Sequence, residues 1–142
     1  MTCSKELMFE VPGEPIGKGR PRFTRQGRAY TPAKTAKYEN LVSLAFLQAY
    51  PDHVPFEGPV EMTMNAYFSI PKSWSKKKQE DARFNRIWPT KKPDTDNIAK
   101  MKDALNGLAF KDDSQVVRER IVKQYAPTPK LVIYIRELGN GE

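Results

Sequence analysis

A single cysteine, Cys3, is the whole thiol complement of this 142-residue chain, so no internal disulfide forms and nothing calls for an oxidising compartment. One histidine, His53, beside one cysteine also leaves no zinc-ligand spacing. No apolar run approaches the ~20 residues of a membrane span, and the opening MTCSKELMFE lacks the unbroken apolar stretch of a secretion signal. These absences predict a cytoplasmic protein with no membrane partner. Repeats and low-complexity tracts are missing too, and 142 residues with 39% hydrophobic content suit one domain spanning 1–142. Acid is outweighed by base, 17 Asp and Glu against 24 Lys and Arg, a net charge of +7. Such a balance either serves solubility alone or attracts a polyanion, and where the charges fall decides between the two.

They fall in blocks. Residues 16–37 carry seven Lys or Arg, three Gly, two Pro and no acid, which reads as a basic, irregular arm. Residues 71–92 carry eight Lys or Arg against two acids, with Trp74, Phe84 and Trp88 interspersed, a second basic element. Within these blocks Lys18, Arg20, Arg22, Arg25, Arg28, Lys76, Lys77 and Lys78 are the candidate contacts to nucleic-acid phosphates; a solvated loop and an exposed helix face are the alternatives. Trp74 and Trp88 are read as core or lid packing rather than base-stacking wedges, and His53 and Cys3 receive no function.

Elsewhere the pattern is that of a folded core. Leu7, Phe9 and Val11 alternate with polar neighbours up to Pro12-Gly13, and Val60, Met62, Met64, Ala66, Phe68 and Ile70 alternate likewise, so both stretches predict strands. Thr31-Pro32 opens a helix that Tyr38, Leu41, Val42, Ala45 and Ala49 continue and Pro51 stops. Two branched-residue runs, 116–125 and 131–138, flank Ala126-Pro127-Thr128-Pro129 and predict a closing antiparallel hairpin. The order gives an α+β domain, a mixed or antiparallel sheet packed against two main helices.

Five acids crowd into DTDNIAKMKDALNGLAFKDD: Asp94, Asp96, Asp103, Asp112 and Asp113. A helix from Asp96, as its cap, to Asn106 would set Asp96, Lys100 and Asp103 within about 60° of one another, at about 100° per residue, with Ile98, Met101, Leu105 and Leu108 opposite. Asp94 would point to the same side, and a short turn would return Asp112 and Asp113 to the helix start. Converging carboxylates in a basic protein suit Mg²⁺ or Mn²⁺, which lowers the pKa of a bound water and offsets charge on a phosphate, while Lys100 stabilises the transition state. The competing reading makes D-x-D a helix cap and DD a turn. Asp103 is assigned to pairing with Lys100 or Lys102.

The joint pattern, D-x-D-N-x-x-K, then D-A-L, then D-D-x-Q-V, resembles the signature of the RusA family of Holliday-junction resolvases. The N-terminal PGEPIGKGRPRFTRQGRAYTPAKTAKYENLV is similar to the arm and first helix of prophage-borne members. The resemblance implies a homodimeric, Mg²⁺-dependent endonuclease, with Mn²⁺ able to substitute, that binds four-way DNA junctions and makes paired symmetric nicks in recombination and repair. It places the essential carboxylates at Asp94, Asp96 and Asp113 and the essential lysine at Lys100, with Asn97 also matching. A non-catalytic basic nucleic-acid-binding protein, or a nuclease for other branched DNA, is the alternative.

Overall fold

A computed structural model describes residues 5–19 and 21–139; Arg20 and Cys3 lie outside the described residues. Strand β1 (Glu6–Pro12) is followed by two short strands, β2 (Arg22–Phe23) and β3 (Ala29–Tyr30), and helix α1 (Ala33–Ala49). Strand β4 (Val60–Ser69), helices α2 (Lys76–Arg83) and α3 (Thr95–Ala99), and strands β5 (Val116–Ala126) and β6 (Lys130–Glu137) complete the domain. The arm is therefore not wholly irregular: β2 and β3 pair antiparallel as a small hairpin around a turn at Gly27, whose φ of 78° favours glycine. Pro32, not Thr31, stands at the α1 N-cap, and no side chain caps that end.

The main sheet is mixed, with strand order β1-β6-β4-β5. The expected hairpin is absent, since β5 runs parallel to β4 and β6 runs antiparallel to both β4 and β1. Side-chain chemistry explains the exchange. Leu131, Ile133 and Ile135 are fully buried and fill a central strand, whereas β5 carries Arg118-Glu119-Arg120, exposed, and takes the edge. A parallel β4–β5 pair demands a long crossover, and the segment between them supplies α2, α3 and the acidic stretch.

One sheet face makes the core. Leu7, Phe9 and Val11 from β1 join Val60, Met62, Met64 and Ala66 from β4 and the β6 residues, as the alternation predicts. Tyr38, Val42 and Phe46 of α1 close over them, with Ile98, Met101 and Leu105 from the acidic segment. Each large side chain buried in this way contributes about 1.5–3 kcal/mol. The apolar stripe of the acidic segment is thus anchored, which turns its polar stripe outward. His53 is structural: Nε2 lies 3.0 Å from the Ala109 carbonyl, and its ring meets Phe46 and Phe56 edge-on.

Candidate active site

The acidic helix begins two residues earlier than its pattern suggested. Asp94, rather than Asp96, is the N-cap of α3, with extended φ and ψ of −70° and 156°, and its side chain makes no capping hydrogen bond. Its carboxylate is left available. Asp96 follows in the first turn, exposed, and Lys100 is exposed at the end. Rather than running α-helical to Asn106, the chain tightens into a 3₁₀ segment, Lys100–Leu105. In that geometry residues i and i+3 eclipse, so Lys100 and Asp103 share one edge.

Asp103 does not pair with Lys100 or Lys102. Its Oδ2 accepts from Lys18 Nζ at 3.2 Å, and Lys102 is directed instead to Glu119 at 2.9 Å. Lys18 Nζ also donates to Glu39 Oε2 of α1 at 3.2 Å, and the Lys18 backbone N–H donates to the Asn97 carbonyl at 2.7 Å. A single arm residue therefore joins α1, α3 and the 3₁₀ segment.

The two adjacent acids at the other end divide the two roles that the sequence left open. Asp112 caps the 3₁₀ turn Asp113–Gln115: its Oδ2 accepts from the Ser114 N–H at 2.9 Å, and its own N–H donates to Gln115 Oε1. Gln115 Nε2 donates to the Phe56 and Gly58 carbonyls, which fixes the turn against the body of the domain. Asp113 is left with its carboxyl against Asp103. The carboxyl hydrogen bond that Asp113 donates to Asp103, followed by burial and negative charge, pushes Asp113 above the usual carboxylate range. Burial pushes Asp103 upward too, but hydrogen bonds with Asp113 and Lys18 and the charge of Lys102 outweigh it and hold that carboxyl low. Like charges in contact disfavour ionising both carboxyls, so the two shift in opposite directions.

The sequence expects Asp94, Asp96 and Asp113 to converge on one cation. Among the described residues no three Asp, Glu, His or Cys side chains group closely enough to hold a metal ion. The pair that does meet is Asp103 with Asp113, and the 3₁₀ segment carrying Asp103 touches both α3 and the Asp113 turn. The donor chemistry still fits a hard cation. All candidates are carboxylate oxygens, and Mg²⁺ is commonly held by one or two carboxylates plus substrate phosphates, with waters completing its shell.

The basic candidates separate into two kinds. Arg22, Arg25 and Arg28 are exposed on the β2–β3 hairpin, and Lys76, Lys77 and Lys78 are exposed on the first turn of α2. Lys18 is drawn inward by its two carboxylates. Of the aromatic residues, Trp74 packs edge-on against Tyr125 at 5.3 Å, but Trp88 is 53% exposed and is not part of the core. Sequence reasoning missed Glu39 and the inward role of Lys18. The available signal was an acid within α1, Glu39; nothing in it names a partner in the arm.

Comparison with known proteins places the chain in a family. The chain matches the family described as Endodeoxyribonuclease RusA over residues 12–136, nearly its full length. It is also 43% identical over 145 residues to the Uncharacterized protein YqaN of Bacillus subtilis (strain 168), covering 98% of this chain and 99% of that protein. No helix among the described residues is long and apolar enough to cross a membrane.

Proposed function

Because the chain belongs to the RusA endodeoxyribonuclease family, we propose that it is a divalent-metal-dependent endonuclease that resolves four-way DNA junctions by paired symmetric nicks, in recombination and repair. The observation that carries this reading is the contact between the Asp103 and Asp113 carboxyls in a chain of net charge +7. Paired carboxyls in a basic protein suit the handling of a cation beside a phosphate ester.

Asp94, Asp96 and Asp113 are the proposed holders of Mg²⁺, with Mn²⁺ able to substitute, and Asp103 orients Asp113. When bound, the ion supplies Lewis-acid stabilisation of charge on the scissile phosphate. Lys100, exposed on the same edge as Asp103, offers its ammonium to the non-bridging oxygens or to the departing oxygen as negative charge develops. Arg22, Arg25, Arg28 and the lysines of α2 neutralise the flanking phosphates, which positions the strand without reading its sequence. A four-way junction has two-fold symmetry, so a homodimer brings a second copy of these groups to the opposing strand. Leu44 and Leu47, exposed on α1, are the candidate contact between copies.

Asp94→Asn tests the reading. Nicking of a synthetic junction in Mg²⁺ should vanish while junction binding and the folded far-UV circular dichroism spectrum persist. The incomplete carboxylate cluster favours one rival, a DNA-binding module without chemistry. That rival shifts junction mobility equally with Mg²⁺ or with a chelator and leaves every strand intact, which would overturn the nuclease assignment.

A further inference from the structure

The segment leading into Asp94 holds both its ends against the domain and turns its middle outward. Upstream, Trp74 packs on Tyr125, its carbonyl accepts from Gln79 Nε2 at 2.8 Å, and Ala82 of α2 is fully buried. Downstream, Pro89 is buried and the Lys91 carbonyl accepts from Lys123 Nζ at 2.6 Å. Between these anchors Phe84 is 58% exposed and Trp88 is 53% exposed. Five residues fully extended span at most roughly 18 Å, so both rings belong to one short exposed loop.

Apolar rings of this size are usually buried, and the sequence reading assigned Trp88 to packing. Their exposure asks for an occupant. The surroundings select its charge: Arg86 lies 5.5 Å from the Phe84 ring centre, and residues 71–92 carry eight Lys or Arg against two acids. One of those acids, Asp81, is already paired with Arg86 at 3.1 Å and Lys77 at 3.9 Å. Asn85, at φ 59°, puts a left-handed residue between the two rings. Flat aromatic faces inside a cationic rim suit a nucleobase whose phosphates meet the rim. Trp88 stands six positions before Asp94, so an occupant there is held close in chain to the proposed metal holders.

We propose that residues 84–88 form a stacking platform for bases unstacked at the branch point of junction DNA, and that this platform distinguishes branched from linear substrates. The inference rests on the reading of the protein as acting on branched DNA.

The test uses the full-length protein in EDTA, so that binding is measured apart from cutting. Its probes are a four-way junction and a linear duplex, each with 2-aminopurine at its centre. Wild-type protein should prefer the junction and change the branch-point fluorescence. In the Phe84→Ala/Trp88→Ala double variant the junction-to-duplex affinity ratio should fall at least roughly fivefold, with the fluorescence change lost and duplex binding retained. Trp88→Tyr should restore most of both. A double variant that keeps the wild-type ratio overturns the platform alone. A wild-type protein with no junction preference overturns the functional reading and the platform with it. A double variant whose sedimentation changes while its junction preference does not would assign the rings to contact between copies, which also overturns the proposal.

Discussion

The Lys18 ammonium lies 3.2 Å from Asp103 Oδ2 although 85 residues separate them in the chain. The same nitrogen meets Glu39, so two carboxylates from different elements share one cation. Asp103 in turn leans on Asp113. The basic arm thereby enters the frame that sets the orientation of a proposed metal holder, a role distinct from attracting phosphates.

Lys18→Met should consequently slow junction nicking by about 10- to 100-fold, the usual effect of removing a partner that orients a metal-binding side chain. The loss should fall on kcat and on the Mg²⁺ concentration needed for half-maximal rate, with junction affinity little changed. Lys18→Arg, which keeps the charge and its donors, should recover part of the rate. A loss of affinity with unchanged kcat would show that Lys18 contacts DNA instead.

The two adjacent acids before β5 should separate cleanly. Asp113→Asn removes the carboxylate that faces Asp103, and nicking should fall on the order of 10²- to 10³-fold. Asp112→Asn keeps an oxygen able to accept from the Ser114 N–H, so cutting should persist with a small drop in melting temperature. Single-turnover nicking and thermal melts on both variants decide it. Equal damage from both would mean that the turn itself, and not Asp113, is what the site requires.

Periodicity made the sheet legible and the pairing illegible. Leu7, Phe9 and Val11, and Val60 to Ala66, announce which residues face the core, because a strand repeats every second residue. Nothing in Val116–Ala126 or Lys130–Glu137 says that a three-residue link carries the chain past β4 rather than back along β5. The exposed Arg118-Glu119-Arg120 was the one hint that β5 belongs at an edge. The site behaves likewise. Ile98, Met101 and Leu105 disclose the buried stripe, yet over six residues a repeat of 3.0 cannot be told from 3.6, so the 3₁₀ segment and the turn of Asp103 toward Lys18 were not visible. Long-range ion pairs leave no periodic trace at all.

Exposed arm cations should behave as phosphate contacts, one charge at a time. Arg25→Ala should reduce the slope of log affinity against log salt by roughly 0.9 for duplex and junction alike, and Lys76→Ala should do the same. Lys18→Ala should leave the slope unchanged, since its charge is already met by Glu39 and Asp103. Titrations at four or more salt concentrations measure these slopes directly. A reduced slope for Lys18→Ala together with an unchanged one for Arg25→Ala would reverse the assignment of the arm.

Gly17 and Gly19 offer a matched pair for the close approach of the arm to α3. A Cβ on Gly17 would stand 2.6 Å from Pro93 Cβ and 2.8 Å from Asn97 Cβ, whereas one on Gly19 meets nothing within 4 Å. Distances under 3.0 Å require the arm and α3 to shift relative to one another. Gly17→Ala should cost about 1–3 kcal/mol in urea unfolding and lengthen the bond from the Lys18 N–H to the Asn97 carbonyl. Because the same residue carries the ammonium that orients Asp103, nicking should fall along with stability. Gly19→Ala should be neutral or slightly stabilising, by up to about 1 kcal/mol, through its effect on the unfolded chain. Two variants of equal stability and equal rate would show that the arm yields without cost, and that its seat on α3 does not govern the site.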